Sequence, residues 1–305
     1  MKFGVNSFIW SDRFTPEQFP LLARLKNAGF DGIEVPMFSA DTLSDPEVQR
    51  ALRESGLERT VCSVLPAGLS LISDDAQVWK GALEHLRSCI HGCAEIGAHV
   101  IAGPLYSPVG YLPGRRRTAD EWKRAVEAYQ RLGPDLDAAA VVLAIEPLNR
   151  YETYFLNTAA DTALLCAEVD HPRVGMLFDT YHANIEEKSV PDAIRAAGKH
   201  ILHFHSCEND RGVPGTGHID WPNVFAALRD IHYDRWLTIE SFGFSVGALS
   251  AAASIWRDLA PAAEDIAFEG LHFLRKRATS AASGTVSTGT IPGFENRSPN
   301  LMFCE

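Results

Sequence analysis

Four side chains that could bind a metal ion each stand at the end of a short apolar run in the second half of the chain. Apolar runs of about four to eight residues predict buried β-strands. The four positions are 33, 26 and 35 residues apart, which leaves room for a helix between successive strands. Neighbouring parallel strands bring their carboxyl ends to one edge, so the four side chains should converge there. They are Glu146, Asp179, His205 and Glu240.

Three carboxylates and one imidazole suit a hard divalent cation. Such a set favours Mn2+, with Co2+ or Mg2+ also accommodated, over structural Zn2+, which favours thiolates. A single acidic residue after a strand often only caps the next helix, and this simpler reading stays open for any one of the four. It accounts poorly for all four together, because Glu146 and Glu240 lie inside apolar runs where an unpaired carboxylate is costly to bury.

Six further residues lie near predicted strand ends, where they could contact a bound ligand. His182 stands three residues past the second acidic position and Arg211 six residues past the histidine, which favours a binding role over simple solvation. Aromatic rings at such positions could stack on a sugar and exclude water, although packing explains each ring equally well. The six residues are Glu152, His182, Arg211, Phe8, Trp10 and Phe242.

The elements that must position these residues alternate along the chain. Short β-rich runs are followed by longer segments of helical period, which is the pattern of βαβ units around a parallel sheet. Eight of each predict an α/β fold, a single (β/α)8 TIM barrel. An open doubly wound sheet is disfavoured because no G-x-G-x-x-G follows the first strand. Predicted strands cover about residues 2–10, 31–36, 59–65, 98–104, 141–147, 174–179, 200–206 and 235–241. Predicted helices cover about residues 16–28, 45–56, 75–96, 118–138, 158–169, 189–198, 221–231 and 247–276.

The barrel is predicted to form one catalytic domain over residues 1–277. Beyond it the composition shifts to Thr, Ser, Ala and Gly without a periodic apolar face. Such a segment cannot bury enough apolar surface to fold by itself. Residues 278–305 are therefore predicted to be a flexible C-terminal tail without a chemical role.

Charge and hydropathy limit the partners. The chain has 28 basic and 39 acidic residues, a formal charge of -11, which repels phosphate backbones and argues against nucleic acid. No apolar run approaches the roughly 20 residues that span a bilayer. The amino terminus shows neither the basic region nor the long apolar stretch of a secretory signal. We expect a cytoplasmic protein with no membrane partner.

The six cysteines show no C-x-x-C pair, which argues against a disulfide framework or a zinc knuckle. Cys89 and Cys93 lie one helical turn apart with His85 a turn earlier, so a metal-binding helix face is a weaker alternative. Small thiols on a packed helix are common, and packing is the favoured interpretation.

Several runs in the second half resemble a known family. They are residues 146–152 (EPLNRYE), 178–187 (FDTYHANIEE), 205–212 (HSCENDRG) and 214–220 (PGTGHID). These runs resemble the D-tagatose 3-epimerase and D-allulose (psicose) 3-epimerase family of xylose-isomerase-like TIM barrels. The resemblance covers about residues 1–276 and is most specific between 146 and 242.

The resemblance implies a metal-dependent ketose 3-epimerase acting on free keto-sugars. The pairs it implies are D-fructose/D-allulose, D-tagatose/D-sorbose or L-ribulose/L-xylulose. The four residues named first would bind the metal, and Glu146 and Glu240 would also be the acid/base pair, working through a cis-enediolate. Glu152, His182 and Arg211 match positions that hold the O1 to O3 region. A homodimer or homotetramer is implied, and no organic cofactor is needed.

Three other activities remain open at this point. A related sugar isomerase acting on hydroxypyruvate, inosose or an aldose–ketose pair could use the same barrel and similar ligands. An endonuclease-IV-like barrel would need more histidine ligands and a basic surface, which the net charge contradicts. A non-catalytic sugar-binding module would have little use for two buried carboxylates on a metal.

Overall fold

Eight parallel strands close into a barrel in the computed structural model, which describes residues 1–244 and 247–282. The strands pair in chain order, and β1 closes the ring on β8, with Lys2 beside Trp236. The predicted (β/α)8 barrel is therefore confirmed. The strands are β1 (Lys2–Asn6), β2 (Gly32–Pro36), β3 (Glu58–Cys62), β4 (Val100–Gly103), β5 (Val142–Ile145), β6 (Val174–Asp179), β7 (Ile201–His205) and β8 (Trp236–Ile239).

Helices surround the barrel and bury their apolar faces against it. Local signals begin several of them: α2 starts with Pro46 after an Asp45 cap, and α4 starts with a capping box of Thr118 and Glu121. Within the described residues the helices are α1 (Phe19–Ala28), α2 (Pro46–Glu54), α3 (Ala76–Glu95), α4 (Ala119–Ala139), α5 (Ala159–Val169), α6 (Thr180–Glu186), α7 (Val190–Ala197), α8 (Trp221–Asp230), α9 (Ala248–Ala252) and α10 (Asp265–Ala282).

The barrel interior has an apolar floor and a polar mouth. A small cluster of buried side chains lies apart from the large core beneath the helices. It consists of Val100, Ala102, Ala144, Leu177 and Trp236. Two residues further along β5 and β6 the chain reaches Glu146 and Asp179, and four residues past Trp236 it reaches Glu240. Side chains two apart on a strand share a face, so the strands that build the floor also aim these carboxylates into the mouth.

One glycine is required by the close packing of that floor. A Cβ atom on Gly32 would lie 2.5 Å from the Trp236 ring and 2.7 Å from the carbonyl oxygen of Glu58. Any side chain at this position would force the indole or the β3 backbone to shift, which favours glycine here.

Two α-helical regions differ from the sequence prediction. Helix α6 was not predicted; it begins at Thr180 and is capped by Asp179, whose Oδ1 accepts a hydrogen bond of 2.6 Å from the backbone N–H of Tyr181. The helix predicted over about 247–276 is divided into α9 and α10. Ser254 has a positive φ of 56° just after α9, and Pro261 lies in the connection without an amide donor, which explains the interruption.

Helix α10 continues through the predicted boundary at residue 277 and runs to Ala282. The rest of the predicted flexible tail, residues 283–305, lies outside the described residues. None of the helices in the described part of the chain combines the length and apolarity needed to cross a membrane.

Candidate metal centre and active site

The barrel brings together the four residues predicted to bind a metal. Asp179 and His205 are the last residues of β6 and β7, and Glu146 and Glu240 directly follow β5 and β8. Each offers one ligand atom, and these four atoms lie within 4.8 Å of one another. All four side chains are buried. We call these four residues the mouth group.

The donor set of the mouth group fits a divalent cation. The Nδ1 atom of His205 is buried without a hydrogen-bond partner, 3.3 Å from Oε2 of Glu240 and 3.8 Å from Oδ2 of Asp179. An imidazole nitrogen that faces two carboxylates this closely is suitably placed to share a cation with them. Three oxygen ligands and one nitrogen suit Mn2+, Mg2+ or Co2+ better than a thiolate-rich zinc site would.

Asp179 also caps a helix, which is the simpler role that the sequence left open for it. Its Oδ1 caps helix α6, whereas its Oδ2 faces the mouth group. The two carboxylate oxygens thus serve two functions, and a helix cap and a metal ligand are not alternatives at this position.

The two glutamates of the mouth group differ in electrostatic environment. Burial, together with the charges of Glu240 and Asp179, raises the pKa of Glu146 well above its ordinary value. Burial also acts to raise the pKa of Glu240, but His205 and Arg211 more than offset it and lower that pKa to about 2. Two carboxyl groups with opposite proton preferences therefore face one space.

Arg211 lies directly beside the mouth group. Its Nη1 donates to Oδ2 of Asp179 at 2.7 Å and to Oε2 of Glu240 at 2.6 Å. Its guanidinium carbon lies 4.1 Å from the centre of the Tyr181 ring. The residue has a positive φ of 66°, which costs a non-glycine residue about 1 kcal/mol or more. Strain at a residue whose side chain reaches into a cavity is consistent with a binding role.

His182 and Glu152 are joined to each other through Asn149. The backbone N–H of Asn149 donates to Nδ1 of His182 at 3.1 Å, and its side-chain amide donates to Oε1 of Glu152 at 2.7 Å. Burial lowers the pKa of His182 to about 3, so the ring is neutral. Its Nε2 lies 3.1 Å from Nη2 of Arg211 and 3.6 Å from Oε1 of Glu146.

A cavity of about 270 Å³ opens above the mouth group. Five of the six predicted ligand-contacting residues line it: Phe8, Glu152, His182, Arg211 and Phe242. The Phe8 ring stacks on Phe242 with centroids 5.4 Å apart and on Phe38 with centroids 5.9 Å apart. One wall of the cavity is therefore a row of stacked aromatic rings.

Trp10 is not brought to this cavity. Its indole packs against Phe268 of α10, with ring centroids 6.5 Å apart. The sequence prediction extended the first strand to residue 10, which would place Phe8 and Trp10 on the same face. Instead the strand ends at Asn6 and Ser7–Ile9 form a 3-10 turn, so the two-residue period is lost and the rings diverge.

Sequence reasoning missed several residues of the site. Tyr181 lines the cavity but belongs to the unpredicted helix α6. Glu34 lies inside the apolar run GIEVP of β2. A carboxylate within an apolar run is the signal that identified Glu146, and it could have identified Glu34 as well. His203 stands two residues before His205 on the same face of β7, and its ring contacts the Glu34 carboxylate.

Glu34, His203 and His205 form a second convergent group below the mouth group. His85, Cys89 and Cys93 on α3 were the weaker alternative metal site. They are not among the groups of the described residues whose ligand atoms lie close enough to share an ion. There, Sγ of Cys89 lies 3.7 Å from Nε2 of His85, and burial raises the pKa of both Cys89 and Cys93. Neutral buried thiols are consistent with packing.

Comparison with known proteins adds an independent line of observation. Residues 22–277 match the family model described as xylose isomerase-like TIM barrel. The chain is 38% identical to "Probable ketose 3-epimerase" of Synechocystis sp. over 276 residues, 90% of this chain and 96% of that protein. It is 32% identical to D-psicose 3-epimerase of Agrobacterium fabrum, over 87% of this chain and 93% of that protein. The crystal structure of D-allulose 3-epimerase from Methylomonas sp. in complex with D-allulose superposes with a TM-score of 0.86 at 28% identity, covering 91% of this chain and 97% of that one.

Proposed function

This chain belongs to the xylose isomerase-like TIM barrel family and to its ketose 3-epimerases, and from that premise we propose that its mouth group inverts C3 of free keto-sugars. The observation that carries the proposal is the convergence of Glu146, Asp179, His205 and Glu240 beneath a sugar-sized cavity. The substrate pairs proposed are D-fructose/D-allulose, D-tagatose/D-sorbose and L-ribulose/L-xylulose. Relatives named D-psicose 3-epimerase and L-ribulose 3-epimerase support this range.

The mouth group would hold one divalent cation, with Mn2+ the first choice and Co2+ or Mg2+ as substitutes. When bound, such a cation supplies Lewis acidity that stabilises the negative charge developing on the sugar oxygens. The buried and unpartnered Nδ1 of His205 supports this assignment. No organic cofactor is required, because the reaction moves a proton without net oxidation.

Glu146 and Glu240 would transfer the proton at C3. They follow β5 and β8, which lie on different sides of the barrel, so they can approach a sugar from opposite faces. An ionised Glu240 removes the proton from C3 to give a cis-enediolate, and a protonated Glu146 returns a proton to the other face. In the reverse direction the roles exchange.

The remaining cavity residues would position the sugar. Arg211, His182 and Glu152 present donors and acceptors beside the mouth group, where they would hold the O1 to O3 region. Phe8 and Phe242 would cover the sugar and exclude water from the enediolate. Fixing the reacting carbon between two carboxyl groups supplies several kcal/mol of catalysis by orientation alone.

A cytoplasmic homodimer or homotetramer completes the proposal. The five cysteines of the described residues are all free thiols, which suits a reducing compartment. Light scattering of the purified protein gives the subunit count, and a monomer would contradict this part of the proposal.

Product analysis after metal removal tests the activity. The protein is stripped with EDTA and incubated with D-fructose, D-tagatose, D-allulose or L-ribulose, with and without added Mn2+, and the sugars are separated by chromatography. We expect C3 epimers only in the presence of metal. Formation of aldoses would instead point to an isomerase, and epimers of equal yield without metal would refute the metal assignment.

A further inference from the structure

Glu34 lies at the centre of a fully buried hydrogen-bond network beneath the mouth group. Its Oε1 accepts from Nε2 of His205 at 2.8 Å and from the Asn6 amide at 3.0 Å. Its Oε2 accepts from Nε2 of His203 at 2.8 Å and from the Thr60 hydroxyl at 2.9 Å. An ionised carboxylate can only accept hydrogen bonds, so both imidazoles carry their hydrogen on Nε2.

The distances within this network are those of hydrogen bonds. Two ligands bound to one cation at about 2.1 Å each lie about 3 Å or more apart. The oxygens of Glu34 instead lie 2.8 Å from each imidazole nitrogen, which is the length of a charge-assisted hydrogen bond. Glu34 is therefore hydrogen-bonded to both imidazoles.

The hydrogen bond to Glu34 determines what His205 presents to the mouth. With its Nε2 hydrogen bonded to Glu34, the ring directs Nδ1 toward Asp179 and Glu240, so Nδ1, once deprotonated, would offer its lone pair to a cation held there. A ring free to rotate or to change tautomer would present a hydrogen or a carbon atom to the cation instead. Only one of the two imidazoles on Glu34 belongs to the mouth group, namely His205.

We propose that Glu34 is the positioning residue of the metal centre, fixing His205 so that Nδ1 is available as a ligand. This inference rests on the proposed function insofar as that function supplies the cation. Asn6 donates to the Glu34 oxygen that faces His205, whereas Thr60 donates to the other oxygen, which faces His203. Glu34 and His205 are 171 positions apart in the sequence and come into contact only when the barrel closes.

Metal affinity tests the proposal without any sugar. Titration of the EDTA-stripped protein with Mn2+ in a calorimeter should give a Kd about tenfold to hundredfold higher for Glu34→Ala than for the parent. Glu34→Gln should recover part of this loss, because its amide oxygen can still accept from His205 and Asn6. Thr60→Val is the matched control: it removes one donor from the other oxygen and should change the Kd by less than about threefold.

A measurement on the unaltered protein covers the case in which Glu34→Ala does not fold. Nitrogen NMR of histidine-labelled protein loaded with Mg2+ should show a directly bonded hydrogen on Nε2 of His205 and none on Nδ1. A hydrogen on Nδ1, or a parent-like Kd in a folded Glu34→Ala variant, overturns the proposal. Because no sugar is present, failure of the epimerase assay with retained Mn2+ binding would refute the proposed function and leave this inference standing.

Discussion

Glu146 and Glu240 have the same side chain but different neighbours. Glu146 lies near His182, whose ring burial keeps neutral, and near two other carboxylates. Glu240 instead accepts a hydrogen bond from the Arg211 guanidinium at 2.6 Å. Burial and neighbouring negative charges favour a protonated carboxyl group, whereas a cationic neighbour favours an ionised one. The environment of each glutamate thus suits it to one half of a proton exchange.

Glu146→Gln and Glu240→Gln should each reduce kcat by about a thousandfold, because an amide cannot take up or donate the C3 proton. Circular dichroism and urea unfolding should show that both variants remain folded. Glu84→Gln, which alters an exposed glutamate on α3, is the control and should keep parental turnover. Turnover within tenfold of the parent in either mouth-group variant would contradict the assignment.

The two aromatic residues after β1 should behave differently on substitution. Phe8→Ala should raise KM about tenfold, since it removes the ring at the centre of the stacked wall. Trp10→Phe should leave KM within about twofold of the parent, because Trp10 packs on α10 outside the cavity. Steady-state kinetics on a single ketose compares the two, and equal effects on KM would contradict the placement of Trp10.

Among the elements, the loop between β7 and α8 depends on one buried carboxylate. Oε2 of Glu208 accepts from the backbone N–H of Gly215 at 2.7 Å and from the Trp221 indole at 2.9 Å. Oε1 of Glu208 accepts from the backbone N–H of Ile219 at 3.0 Å. These bonds close the loop that carries Arg211, so the position of that guanidinium depends on a residue that does not line the cavity.

Glu208→Gln should therefore lower stability and weaken substrate binding together. The NH2 group of the new glutamine would face N–H donors in place of a carboxylate oxygen that accepts from them. This should lower the free energy of unfolding by about 2 to 4 kcal/mol. KM should rise because Arg211 is no longer held in place. Asp220→Asn, which neutralises the cap of α8 in the same loop while keeping a good capping residue, should change neither quantity appreciably. Urea unfolding and steady-state kinetics measure both effects.

The start of α4 should make stability depend on pH. Burial raises the pKa of Glu121, but hydrogen bonds from Arg115, the backbone N–H of Thr118 and Tyr154 more than offset this and lower that pKa to about 2. A carboxyl group with a depressed folded-state pKa stabilises the protein above its unfolded-state pKa, near 4.5, and loses this contribution as pH falls toward 2.

At pH 7, Glu121→Gln should lower the free energy of unfolding by about 2 kcal/mol, a value that allows for solvent screening of the half-exposed Arg115. The difference from the parent should shrink to about half that value at pH 3. Urea unfolding across this range is the measurement. Glu127→Gln on the same helix, which alters an exposed pair with Arg131, should show little loss at any pH. A constant difference between pH 7 and pH 3 for Glu121→Gln would refute the linkage.

For the whole molecule, metal binding at the mouth should stabilise the barrel. The mouth group lies at the ends of β5, β6, β7 and β8. A cation that binds only the folded state would therefore link four of the eight strands to one another. Mn2+ at about a hundredfold excess over its Kd should raise the melting temperature by about 5 °C. Differential scanning calorimetry of stripped and reloaded protein measures the shift. The shift should be absent in His205→Gln, and an equal shift in that variant would place the cation elsewhere.

Much of the fold and of the mouth group could be predicted from the sequence by itself. Eight apolar runs separated by helical segments predict a parallel sheet with both faces buried, and the absence of G-x-G-x-x-G after the first strand favours the closed barrel over an open sheet. Side chains at a strand's carboxyl end then share the mouth, which is why Glu146, Asp179, His205 and Glu240 could be grouped without coordinates. Local periodicity is sufficient for these inferences, because each one concerns only the end of a strand at which a residue stands and the face of the sheet to which it belongs.

Only the tertiary structure decided the contacts between distant segments. Trp10 turned away from the cavity because a 3-10 turn replaced the end of the first strand. Arg211 reached the carboxylates because its loop closes on the buried Glu208. Glu34 met His205 because ring closure brings β2 within three strands of β7, so that their side chains meet across the barrel interior. The physical reason is that a sequence pattern specifies the face a side chain takes, whereas the distance across a barrel depends on the closure of all eight strands at once.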